Sequence, residues 1–140
     1  MRRFVDTNVL VYAYDDAEPA KRSVAVELLE ELWDRREGAL SIQVLAEFYV
    51  TVSLKWRQRA SAIDGRAIVE IYNVWNPFSP VGADVLAAID LGATHQISYW
   101  DALIVVAALR SGAQVLLSED LNHGQVFDGV RIENPFASVR

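Results

Sequence analysis

The chain has 140 residues, 52% apolar and 23% charged, which suits one folded domain with a buried core and excludes a disordered chain. It has no cysteine, so disulfides, thiolate catalysis and sulfur-ligated zinc are excluded together. The net charge of −6 and pI near 4.8 repel nucleic acid and anionic membrane overall, so chemistry on either needs a local device that reverses the field.

The opening "MRRFVDTN" has two arginines but no apolar stretch behind them, so no signal peptide is expected. The longest apolar run, Ala102 to Leu109, is too short to span a bilayer, and a cytoplasmic protein of one domain, residues 1–140, is expected. "RFVD" predicts a short strand ending at Asp6. Pro19 then opens a helix with Val24, Leu28, Leu29 and Leu32 on one face and a polar end, "DRREG". "ALSI" predicts a strand, and the helix after it carries Glu47 and turns basic at "KWRQR". A helix is predicted from about Ala60 to Trp75, broken at Asn76–Pro77. "GADVLAAIDLGATH" and "YWDALIVVAALRSG" predict two more helices, the second stopped by Gly112. "AQVLLS" and "GVRIENP" predict the last strands. Strands that are apolar throughout and alternate with helices predict an α/β fold of three layers around a parallel sheet. In such sheets ligands sit beyond the carboxyl ends of the strands, where Asp6 and Asp120 fall.

Four acids are candidate site residues, and each has an ordinary structural reading. Asp6, in "DTN" at a strand-to-helix junction, is a good helix cap. Asp101 completes Ser98-x-x-Asp101 ahead of "ALIVVAAL", a capping-box pattern. Asp120, in "LLSEDLNHG", reads as a turn acid, with Glu119 beside it. Glu47 has no lysine or arginine three or four residues away, so it is either on a solvated edge or buried and in need of a counter-charge. Taken together, several oxygen donors without cysteine suit a hard cation such as Mg²⁺ or Mn²⁺.

"FVDTNVLVYA", "LAEF", "YWDALIVVAA" and "LLSEDLNHG" stand in the order and spacing of PIN-domain ribonucleases. The chain resembles the VapC-type toxins of toxin–antitoxin systems from Phe4 to the closing "NPF" at Phe136. That resemblance implies a three-layer PIN-like fold whose central, mostly parallel sheet is flanked by helices. It implies a quartet of Asp6, Glu47, Asp101 and Asp120 around one or two Mg²⁺ or Mn²⁺ ions. In that quartet Asp6 and Asp101 are the more direct ligands. Asp120 and Glu47 bind through water or orient the nucleophile. Ser118 occupies the family's hydroxyl position and Asn8 braces the site. "SEDLNHG" departs from the usual threonine-x-aspartate-aromatic pattern, so Glu119 and Asp120 could exchange roles. The implied reaction is hydrolysis of an RNA phosphodiester by a metal-activated water, leaving a 5′-phosphate and a 3′-hydroxyl.

The RNA would be held by Lys55, Arg57 and Arg59, with Trp56 free to stack on a base; their ordinary reading is a cationic helix end. Four tryptophans could build a partner surface, although large aromatics are more often core. His95 and His123 are read as structural. The implied partners are an antitoxin covering the acidic pocket and a second copy of the chain. The rival reading is a catalytically silent PIN domain that serves as an RNA- or protein-interaction module. A phosphatase opening on a strand-end Asp would want a second Asp where Asn8 stands, and a dinucleotide enzyme lacks its glycines.

Overall fold

The computed structural model describes residues 1–56 and 63–139. Five strands, β1 (Arg3–Val5), β2 (Gly38–Ala39), β3 (Val115–Leu117), β4 (Val126–Phe127) and β5 (Val130–Glu133), form one sheet in the order β2-β1-β3-β5-β4. All neighbours are parallel except β4, which returns antiparallel along β5. Six helices flank the sheet: α1 (Thr7–Tyr12), α2 (Pro19–Arg35), α3 (Ile42–Tyr49), α4 (Gly65–Tyr72), α5 (Gly82–His95) and α6 (Tyr99–Arg110). The expected three-layer α/β fold is therefore present. Among the described residues no helix is long and apolar enough to cross a membrane.

The strands are short and buried because helices cover the sheet. Phe4, Val5, Leu116, Leu117 and Ile132 are 2% exposed or less. Helix α6 explains the apolar run in "ALIVVAAL". Ala102, Leu103 and Val106 meet α5, while Ile104, Val105, Ala107 and Ala108 join the main core, so the helix is apolar all round. Ser98 caps its start by accepting the Asp101 N–H, and Gly112, at φ +72°, follows its end in a left-handed conformation that costs glycine little.

Three predicted segments differ. "ALSI" is a strand only to Ala39, because Ser41 turns its hydroxyl to the Val44 N–H and caps α3, which takes in Ile42. The helix predicted from Ala60 begins at Gly65, where the Asp64 carboxylate accepts the Ala67 N–H; residues 60–62 lie outside the described residues. Strand β4 was not anticipated, although Asp128 and Gly129, both at positive φ, form the Asp-Gly turn typical of a hairpin. Helix α3 continues as a π-helix, Val50–Lys55, which no periodicity foretold.

Candidate metal-binding active site

The sheet brings the ends of β1 and β3 together, and the acids gather there. Asp6 follows β1 and its N–H bonds to the Leu117 carbonyl at 3.0 Å, which locks the two strand ends in register. Its side chain is buried, 5% exposed. Oδ1 accepts the Thr7 N–H at 2.7 Å, so the cap reading of Asp6 describes a real contact. Oδ2 accepts the Ser118 hydroxyl at 2.7 Å. Burial pushes the Asp6 carboxyl up to about 7; the bonds from Ser118 and Thr7 pull it down, and the charges of Asp120 and Glu47 push it up again.

Ser118 is fully buried and serves two acids at once. It donates to Asp6 and accepts the Asp120 N–H at 3.2 Å. Asn8 reaches the same loop from α1: Nδ2 donates to Asp120 Oδ2 at 3.0 Å, and Oδ1 accepts the Glu119 N–H at 3.2 Å. Asp120 is exposed but fixed in direction. Glu119 points elsewhere, bonded to Lys21 Nζ at 2.7 Å and to the Tyr12 hydroxyl at 2.8 Å. The two neighbouring acids are thus sorted by what the surrounding helices offer them.

Asp101 sits in the first turn of α6, half-buried. Burial raises its carboxyl, the Ser98 side chain lowers it, and the Asp120 charge raises it. The charge of Asp120 is therefore felt by both Asp6 and Asp101.

Glu47 takes the solvated-edge reading. It is exposed, because the buried stripe of its helix runs through Val44, Leu45, Phe48 and Val52 and leaves position 47 outside. It is not unpartnered. Thr7 Oγ1 donates to Oε2 at 3.2 Å and Gln43 Nε2 to Oε1 at 2.6 Å. Thr7 and Gln43 are contributors that no motif indicated, although Gln43 stands at the i−4 position from which a helical side chain reaches Glu47.

Of the residues expected to hold RNA, Lys55 is exposed and Trp56 is half-buried against the core. Arg57 and Arg59 lie outside the described residues. His123 accepts the Asn134 N–H through Nδ1, and His95 packs on Phe127, both structural contacts.

The donor set fits a hard divalent cation in kind. It is all oxygen, it includes a buried carboxyl, and Gln43 Oε1 beside Glu47 is buried without a protein partner. In spacing the acids stand open. Among the described residues no three acids or histidines are close enough to enclose an ion.

The family model of the PIN domain matches residues 3–127, from the start of β1 to the end of β4. A comparison with curated proteins finds no significant match. The matched span contains all four acids together with Asn8 and Ser118. On that match the chain belongs to the PIN domain family, whose members are generally nucleases that need metal.

Proposed function

We propose that this protein is a metal-dependent endoribonuclease that hydrolyses RNA phosphodiester bonds. The observation that carries the reading is Asp6, a carboxyl held in the core at the junction of β1 and β3 and facing the charge of two further acids. Such an arrangement disfavours the apo fold unless a cation uses it. Asp6 and Asp101 would hold Mg²⁺ or Mn²⁺ most directly, with Asp120 and Glu47 acting through water. The bound ion would supply a more acidic water and offset charge growing on the phosphoryl oxygens. Ser118 and Thr7 hold the Asp6 carboxylate, and Asn8 fixes the direction of Asp120. Glu47, exposed at the solvent edge, would accept a proton from the attacking water.

By its resemblance to VapC-type toxins, we read the protein as the toxin of a type II toxin–antitoxin pair. Its antitoxin would lay a basic side chain over the acids, and the toxin would pair as a homodimer. The alternative reading is a catalytically silent PIN domain acting as an RNA- or protein-interaction module.

RNA cleavage separates the two. It should vanish in EDTA and return with Mg²⁺ or Mn²⁺; cleavage that persists after thorough chelation sinks the mechanism. Asp101→Asn is the informative variant, because Ser98 already caps α6 without the Asp101 carboxylate. A melting series across Mn²⁺ should raise the parent, by about 2.7 kcal/mol at a hundredfold excess over Kd, and leave the variant nearly flat. Without metal the variant should be at least as stable as the parent. A variant that keeps the full metal response would show that the ion sits elsewhere.

A further inference from the structure

Among the described residues eight arginines can be compared, and six of them are held in ion pairs: Arg3, Arg22, Arg35, Arg66, Arg110 and Arg131. Arg2 and Arg36 form none. Arg2 donates only to the Ser111 carbonyl, at 2.8 Å. These two cations line the same groove, about 430 Å³ in volume, together with Trp33 and Trp75. An adjoining hollow of about 300 Å³ shares Arg2, Gly38 and Trp75 and extends the groove towards Arg110. In a chain with net charge −6, two guanidinium groups that line one groove and form no ion pair among the described residues need an explanation.

The wall between them is aromatic and rigid. The Trp33 and Trp75 rings lie 5.8 Å apart at 36°, and both meet Tyr72 edge-on. Trp33 remains 40% exposed and Val74 73% exposed. Trp75 lies against the backbone at Gly38, where a Cβ would collide with its ring. Glu37, which follows Arg36 in the chain, is already engaged by Arg3 and the chain's amino group. The groove therefore offers positive charge and flat apolar faces together, at the amino ends of β1 and β2. The acids lie at the other ends of the strands, about 13 Å away over four extended residues.

We propose that this groove is a second contact site for single-stranded RNA, with phosphates on Arg2 and Arg36 and a base against the Trp33 face. The choice of RNA rests on the nuclease reading above. Phosphate matches the guanidinium fork, and every base has a face to stack on an indole. An acidic peptide would satisfy the arginines but leave the indoles without a planar partner. The site supplies the local reversal of field that an acidic nuclease requires, behind the cleft and not inside it.

The test is fluorescence anisotropy of a labelled single-stranded RNA of about twelve nucleotides, in EDTA so that it stays intact. The double variant Arg2→Gln, Arg36→Asn keeps a donor for Ser111 and a residue that tolerates the left-handed backbone at position 36 (φ 55°). It should bind about tenfold more weakly at low salt, with a salt slope shallower by about 1.4, or 0.7 for each lost phosphate contact. RNA should also quench tryptophan fluorescence, less so in Trp33→Leu. Unchanged affinity and slope in the double variant would overturn the site. So would a polyglutamate peptide of equal charge that displaces RNA as well as unlabelled RNA does. Because binding is read without metal, RNA that is held here but never cleaved refutes the nuclease and leaves the groove standing.

Discussion

Asp6 places an ionisable group in the core at the end of β1, and its protonation becomes a term in the stability of the fold. The unfolded carboxyl titrates near 3.8 and the folded one near 7, so the folded protein keeps a proton that the unfolded chain releases. Stability from this group is fully present below pH 3.8 and is lost as pH rises through about 7. The loss is on the order of a few kcal/mol. Asp6→Asn should therefore flatten the fall in apo Tm across that window and melt higher than the parent at pH 8. A parallel pH profile in the two proteins would place the Asp6 carboxyl in solvent. Divalent metal must displace the same proton, so stabilisation by Mn²⁺ should grow over the same pH range. The sequence marked Asp6 as a cap and left Glu47 open between a solvated edge and a buried charge, whereas the buried carboxyl is that of Asp6. A run such as "AEFYV" does not say which of its residues falls on the buried stripe, and here only Phe48 does. The direction of Glu119 was equally hidden, since Lys21 is 98 residues away in the chain.

Helices α1 and α2 act on the site through that pair. Lys21 binds Glu119, lies 4.8 Å from the centre of the Tyr12 ring and faces Phe136, while Tyr12 packs edge-on against Phe136 at 4.9 Å. Hydrogen bonds that Lys21 donates to Glu119 and then to Tyr12 raise its ammonium above the ordinary range, so Lys21 is charged at any physiological pH. It pins the loop that also presents Asp120. The two side chains are about a quarter exposed, 24% and 26%, so solvent screens much of the attraction. Lys21→Met should cost only about 1 kcal/mol in urea unfolding, yet lower the rate of RNA cleavage severalfold, and Lys21→Arg should restore most of it. Equal cleavage by Lys21→Met and parent would mean that Asn8 and Ser118 hold the loop unaided. At this scale the sequence read well where a helix has a strong cap or stop: Pro19, Ser98 and Gly112 mark boundaries close to those found. It read poorly where a boundary depends on one hydroxyl, as at Ser41, or where a strand is only two residues long, as in β4. Such strands are too short to show a period.

Across the molecule, apolar strands alternating with helices were enough to predict a parallel sheet covered on both faces, because burial on both sides removes the usual polar alternation. What they could not give was strand order. Strand β1, near the start of the chain, lies between β2 and β3, and β3 begins 112 positions after Arg3, at Val115. A chain cut after Gly112 therefore lacks both the inner neighbour of β1 and the Ser118 that holds Asp6. It should show no cooperative melt by circular dichroism and no response to Mn²⁺; a sharp melt would mean that the six helices form a stable unit with β1 and β2 alone. The same topology has a consequence in time. Asp6 and Ser118 are separated by 112 residues of synthesis, roughly 6–22 s at translation rates of 5–20 residues per second. Until then the nascent chain has the first acid but neither the strand that buries it nor the loop that carries Asp120. On the ribonuclease reading proposed above, an enzyme able to attack RNA beside the ribosome making it would be assembled last at its most reactive point, and its birth would be a period of enforced harmlessness.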